Sequence, residues 1–401
     1  MTRLFLCLLL CLIPLLHHGQ DLVAKPTPIP LAEINDAAAF LAGTELPHEK
    51  DHPLTSTNTW KGHSTQMDRE FSSHRERVLS PMSEWSGKEI DSHLVSGSTV
   101  RYLFSGPDFI HAFHMFPTAD TFVMCGLEPV GEIPDLSDLS TATQGRALAE
   151  VRNALGEIIN FSFFRTKDMK EDLRYATFHG TTPIMMIFLH RSGQYIKDLE
   201  FLSLKKDGTL NSQGLNSQGA DGVRIDFGPL RVDQTKTIYY FSSDLSNGGF
   251  GKTGFETWLE SLPKGNAYLK AASFLMHSNW FSEVREHLLA HSFQIVQDDS
   301  GIPFRFFPAK SWDALLYGTY TGPIDLFAEY YQADLQTAYR KKVNPLPFGT
   351  GYKWRPGQSN LMRMINPSLV PEKKPSLEPA KPAKPESATP SEEKPVEDPA
   401  N

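Results

Sequence analysis

The sequence predicts an α/β fold, a mixed sheet with flanking helices, and two stretches carry that expectation. Between residues 99 and 126 two apolar runs flank the turn-forming Ser105-Gly106-Pro107-Asp108, which gives a Rossmann-like strand-helix-strand unit. Between residues 195 and 241 three β-rich runs lie close together, the pattern of an antiparallel meander.

In the first stretch, residues 100–104 read as a strand. Pro107 suits the opening of a helix, where its missing N–H costs nothing, and Asp108 falls in the first turn. Pro117 closes that short helix, and residues 120–126 form the next strand. A longer helix follows, because Leu148, Val151, Leu155, Ile158 and Ile159 recur along one face. An apolar segment at 183–190 precedes the meander runs 195–204, 223–227 and 237–241. The first meander connection repeats Leu-Asn-Ser-Gln-Gly in tandem across 210–219, small polar residues that describe a loop. The last third reads as mostly helical. Its clearest stripe is Ile324, Phe327, Ala328, Tyr331, Leu335 and Tyr339, with Pro323 starting one core-packing helix.

The two ends differ from this middle. Arg3 precedes an apolar run at 4–16, broken only by Pro14. That length fits a signal-peptide core and falls short of the roughly 20 residues that cross a bilayer. Cleavage after Gly19 or Ala24 is expected, with retention as an anchor the alternative. At the other end, prolines alternate with Lys and Glu, and Leu377 and Val396 are the only large aliphatics after residue 370. Such a segment buries too little to offset its ordering entropy. The chain therefore divides into a signal peptide (1–24), a loosely structured lead-in (25–95), a mixed α/β domain (96–366) and a disordered Pro/Lys/Glu-rich tail (367–401).

Composition narrows the function classes. The formal charge of −8, with only short basic runs at Lys205-Lys206 and Arg340-Lys341-Lys342, weighs against nucleic acid. Of the three cysteines, Cys7 and Cys11 leave with the signal, so Cys125 has no internal partner and reads as a small buried hydrophobe.

Candidate chemistry rests on a few carboxylates and histidines. Asp108, with Glu128 twenty residues on near the end of the second strand, resembles the placement of a ribose-binding carboxylate, so both are candidate ligand-binding residues. The turn holds one glycine instead of three, and Asp108 stands where a phosphate would approach, so no nucleotide cofactor is expected. Asp108, His111 and His114 share one broad side of a short helix, and His287 and His291 are spaced i, i+4. Interleaved apolar residues, and Leu288 where a His-Glu-x-x-His motif would place its Glu, favour core histidines over ligands, and no metal is expected. The segment Gln297-Asp298-Asp299-Ser300-Gly301-Ile302-Pro303 follows an apolar run, and adjacent acids there can supply a raised-pKa carboxyl or close a turn. Asp298 and Asp299, with His277 and Arg305 as partners, are the candidate catalytic residues. Neighbouring side chains on an extended chain point opposite ways, so at most one of the two acids faces a site.

The segments Phe104-Ser105-Gly106-Pro107-Asp108, Gly126-Leu127-Glu128-Pro129, 270–277 and 297–303 together resemble a family of exported bacterial proteins over roughly residues 95–352. That family has no established activity, so the resemblance implies the bacterial envelope setting and one continuous domain, with no catalytic residues. The expectation is an exported, soluble, non-catalytic protein that binds a small molecule or an envelope partner, with no membrane span once the signal is removed. The alternative is a hydrolase, metal-assisted or not, acting on envelope material through Asp298 and Asp299.

Overall fold

The computed structural model describes residues 29–90, 98–161, 177–212, 214, 219–341 and 343–370. The expected signal segment, most of the second copy of the tandem repeat and the tail beyond residue 370 lie outside the described residues.

The stretch read as a loosely structured lead-in is mostly helix. It contains α1 (Leu31–Ala42), α2 (Asn58–His74), a π-helical turn (Arg75–Leu79) and α3 (Ser80–Glu89). Thr57 caps α2 by accepting from the Trp60 amide, and His63, Met67, Phe71 and His74 turn inward from it. In α1 every residue from 34 to 42 is buried. The short Ala-Phe-Leu run noted in the sequence is thus the centre of a core helix.

One ten-stranded mixed sheet forms the middle layer, in the order β4-β3-β5-β6-β2-β1-β7-β8-β10-β9. Its centre is parallel: β6 (Lys236–Ser242), β2 (Thr121–Gly126), β1 (Thr99–Tyr102), β7 (Gly265–Leu269) and β8 (Ser292–Gln297). The expected meander is present as β3 (Tyr195–Leu204), β5 (Asp221–Gly228) and β6, antiparallel neighbours with the short β4 (Leu210–Asn211) at the edge. On the far side β10 (Asn360–Ile365) pairs antiparallel with both β8 and β9 (Asp313–Gly318).

Alternation along the strands divides the core in two. Tyr102, Phe122, Met124, Tyr240, Tyr268 and Val296 pack on one face, under α1–α3, α4 (Phe109–Met115), α5 (Gln144–Phe161) and α6 (Thr182–Arg191). Val123, Cys125, Phe241, Leu269 and Ile295 pack on the other, under α7 (Phe255–Ser261), α8 (Ser282–His291) and α9 (Ala333–Tyr339). This is a three-layer α/β arrangement with two buried faces, which is why the parallel strands read as continuous apolar runs. Among the described residues no helix is long and apolar enough to cross a membrane.

The last third departs from the helical expectation, since β7, β8, β9 and β10 all lie within it. These strands are only five or six residues long, and short buried strands are hard to separate from helix by period alone. The single helix expected over 324–339 is also split. A 3₁₀ stretch (Asp325–Tyr330) with non-helical backbone at Phe327 stops before α9 begins. Gln332 explains the break. Its side chain accepts from the Phe304 amide at 2.7 Å and donates to the Asp299 carbonyl at 3.0 Å, while its own amide donates to the Tyr320 hydroxyl. A residue so committed to tertiary partners outweighs the apolar stripe around it.

Candidate functional site

Parallel sheets place ligands outside the carboxyl ends of their strands, where the winding direction reverses. Here β1 leads to β2 on one side, and β7 leads to β8 on the other. The helices of these two crossovers, α4 and α8, lie on opposite faces. The reversal therefore falls between β1 and β7, and the residues leaving those strands converge there.

Asp108 stands at the N-cap of α4 but makes no capping hydrogen bond. Its carboxylate turns inward instead. Oδ1 lies 2.7 Å from His111 Nδ1, and Oδ2 accepts from the Tyr102 hydroxyl at 2.9 Å and from Lys270 Nζ at 2.8 Å. Lys270, the first residue after β7, also brings Nζ to 3.0 Å from His111 Nδ1. Each of the four residues is at most 2% exposed.

Burial opposes the charge of Asp108, yet its partners outweigh that cost and hold the carboxyl down at about 2. Of those partners Lys270 is the cation, because burial drives His111 below its ordinary value and leaves the imidazole neutral near neutral pH. Burial also lowers Lys270, against the opposing pull of Asp108 and then Asp298. Tyr102 and Tyr268 are pushed up by burial and then by the Asp108 charge, so both keep their protons. The tautomer follows. A neutral imidazole facing an ionised carboxylate at the shorter distance, 2.7 Å, carries its proton on Nδ1. Lys270, a donor only, then gives its hydrogen bond to Asp108 and not to that nitrogen, and Nε2 presents a bare lone pair.

His74, the last residue of α2, packs its ring edge-on against His111, with centroids 5.1 Å apart. Among the described residues, neither nitrogen of His74 nor Nε2 of His111 has a hydrogen-bond partner. Burial, and then neighbouring charge, lowers His74 well below its ordinary value, so it too is neutral.

Asp298 closes the cluster from the end of β8. Its Oδ1 accepts from the Ser300 amide at 3.0 Å and from the Ser300 hydroxyl, which makes it a turn-former. The Ala271 amide adds a third donor, presented by a backbone whose φ of 58° is uncommon for a residue with a Cβ. Gly351 lies against Oδ2 with φ of +63°, and a Cβ there would come within 1.7 Å of that oxygen. Burial, followed by the charge of Asp299, pushes Asp298 up to about 7. Asp299 turns the other way, accepting from Asn360 Nδ2 at 2.8 Å. The turn closed by the Gly301 amide on the Asp298 carbonyl separates the two acids: one faces the Tyr102–Asp108–Lys270 cluster, and the other is spent on β10.

The remaining candidates lie around this centre. His277 meets the backbone of Asp299 and Gly301 and not the Asp299 carboxyl, and burial, then Arg305, lowers it to about 4. Arg305 is exposed, its guanidinium 4.9 Å from the Phe306 ring centroid. Glu128 is buried on the β2 side, where the Tyr240 hydroxyl donates to its carbonyl at 2.9 Å. Its carboxyl covers Gly126, where a Cβ would sit 2.1 Å from Oε2. Cys125 is fully buried, and burial raises its thiol far above the reactive range.

The histidine pairs do not form ligand sets. His114 turns to Ser83, 2.8 Å away, while His111 turns to Asp108. His287 and His291 stack at 4.3 Å, and Nδ1 of His291 meets the His287 carbonyl at 3.0 Å. Among the described residues no group of three or more His, Cys, Asp or Glu is placed to hold a metal. A separate cavity of about 250 Å³ is lined by Glu33, Asp36, Glu49, His52 and Asp135 among others. The Asp36 carboxylate there is already engaged by the amides of His48 and Glu49.

Reading the sequence missed Lys270, Tyr102, Tyr268 and His74. Only His74 left a usable signal, a histidine at a core position of the α2 stripe after Met67 and Phe71. No protein-family model matches the chain, and neither a curated protein nor a solved structure is detectably similar to it.

Proposed function

We propose that this chain is an exported protein that binds a small molecule of the envelope environment in the closed cluster between β1, β7 and β8, without transforming it. The observation that carries the reading is the convergence of Tyr102, Asp108, His111, Lys270 and Asp298 at the switch point of the parallel strands. A buried Lys–Asp pair adds little stability over a well-packed apolar pair. Titratable groups gathered at such cost, where α/β sheets receive ligands, are a functional expenditure. Arg3 and the apolar run at 4–16 support export, as does the resemblance of the 104–108, 126–129 and 297–303 segments to exported bacterial proteins.

Mass spectrometry of protein from its native host tests both halves. Under denaturing conditions the mass should lack the first 19 to 24 residues. Under native conditions it should carry a released small molecule, absent from a Lys270→Met variant. A chain retaining residue 1, or one whose native and denatured masses agree, overturns the corresponding half.

One observation favours the hydrolase as a second reading. Asp108 orients His111 through Nδ1 and leaves Nε2 bare, the arrangement by which a carboxylate prepares an imidazole as a general base. In a hydrolysis, Nε2 would take the proton of an attacking water, and a protonated Asp298 would supply one to the leaving group. Turnover of a chromogenic ester that vanishes in His111→Gln would replace the binding reading with this one.

A further inference from the structure

Resting on the binding reading, we propose that His74 and His111 form a subsite for an uncharged hydrogen-bonding group, an amide or a hydroxyl, and that the subsite rejects ions of the same shape. The argument is an inventory of what the cluster has left to offer. Asp108 and Lys270 neutralise each other at 2.8 Å, and the Tyr102 hydroxyl is spent on the same carboxylate. Burial pushes Asp298 up to about 7, so the counter-charge it can offer an entering cation near neutral pH is only partial. The Tyr268 hydroxyl is left over on the Tyr102 side, and at the histidine pair what remains are imidazole nitrogens: the lone pair of His111 Nε2, and on neutral His74 one donor and one acceptor. Both side chains are 0% exposed, and buried nitrogens without partners are costly unless a ligand satisfies them.

Two acceptors and a donor complement a group that both gives and takes hydrogen bonds, as a primary amide does. An ion entering the same space would shed its hydration and meet at most a partial unpaired charge in return. Local geometry supports the assignment independently. The helix widens into a π-helical turn, Arg75–Leu79, immediately after His74, and single π turns inside helices recur at functional sites. The subsite also includes His111, whose Asp108 contact occupies Nδ1 and leaves Nε2 as its unpartnered nitrogen.

The test uses three probes of nearly equal size: acetamide, acetate and ethylammonium, each titrated at pH 6.5 into the full-length protein labelled with ¹⁵N-histidine. Imidazole resonances are assigned with His74→Phe and His111→Gln. Acetamide is expected to move the nitrogens of both histidines, saturating in the millimolar range, at least tenfold more tightly than either ion, and His74→Phe should weaken that response by at least tenfold. Tighter saturation by acetate or ethylammonium overturns the uncharged ligand class while leaving the binding reading intact. An acetamide response unchanged in His74→Phe overturns the subsite's location. If none of the probes moves either histidine, the subsite falls, while the binding reading is decided separately by whether native mass spectrometry finds a molecule lost in Lys270→Met.

Discussion

Strand β1 serves two buried charged groups, and the protein treats them in opposite ways. Arg101 points to the α7–α8 face, where its guanidinium donates to the Pro263 carbonyl at 2.9 Å and lies 3.5 Å from those of Leu259, Leu262 and His291. These oxygens belong to the ends of α7 and α8, which carry partial negative charge. Burial lowers Arg101 only to about 10, so it stays a cation. It ties two helix ends to the sheet, although its Nε has no partner among the described residues. The Asp108 cluster, just past the end of the same strand, pairs its charges with one another and leaves nitrogens on two neutral imidazoles unmet. The difference teaches how to read a buried charge: a single unmet N–H on a cation held by backbone carbonyls belongs to a clamp, whereas an ion pair ringed by several titratable side chains with unmet atoms marks a site.

The largest effect should come from breaking the pair. Asp108→Asn leaves Lys270 buried beside a neutral amide, and a loss of about 3–5 kcal/mol is expected from denaturant midpoints. Adding Lys270→Met should return part of that loss, because the stranded charge is then gone. Arg101→Met should cost about 3 kcal/mol, with no such repair among its carbonyl partners. Equal behaviour of the two sites would erase the distinction between clamp and cluster.

Asp298 gives the next largest effect, and its direction is set by proton linkage. A carboxyl raised in the folded state binds protons there that the unfolded chain has released, so stability falls as pH rises from about 4 through about 7. Asp298→Asn removes that slope. At pH 8 the variant should be more stable than wild type by about 2–4 kcal/mol, less whatever the Ala271 and Ser300 hydrogen bonds lose. At pH 4 it should be no more stable. Midpoints at the two pH values decide, and a variant destabilised equally at both means that Asp298 is only a turn residue.

How much of this was legible depended on the range of each interaction. Asp298 and Asp299 stood out as adjacent acids after an apolar run, and Asp108 as an acid in a turn between two strands. Their local roles are short-range, and the Asp298–Ser300 turn spans two residues. Lys270 was illegible because its partners Asp108 and His111 lie about 160 residues away, across a parallel pairing that no local pattern encodes. Glu128 stood out by its spacing from Asp108, and its carboxyl lies against Gly106 of the same turn as well as Gly126 and Tyr240. The meander was readable because its strands are long and antiparallel neighbours, whereas β7 to β10 are too short for period to separate strand from helix.

A smaller effect sharpens the reading of the imidazoles. His74→Phe keeps a flat ring against His111 and removes two nitrogens that lack partners among the described residues. Unmet buried groups cost about 1–3 kcal/mol each, so the variant should match wild type or exceed it by about 1 kcal/mol. A loss of about 2 kcal/mol or more would show that His74 is a satisfied core residue and would align the cluster with the Arg101 clamp.

The smallest effect is expected at Arg305, and it tests where the site ends. Its side chain is exposed and lies against Phe306, the next residue, so Arg305→Ala should change stability by no more than about 0.5 kcal/mol. Arg305 does act on one buried group, because its charge is the second cause, after burial, of the lowered His277. Removing it should therefore raise the His277 titration midpoint while leaving it below the ordinary imidazole value, since the larger cause remains. A midpoint restored to about 6.5 would make Arg305 the controlling influence and draw the His277 side of the turn into the site. A small upward shift, with the acetamide response of His74 and His111 unchanged, would confine the site to the ends of β1, β7 and β8, where the charges are paired and the imidazole nitrogens are not.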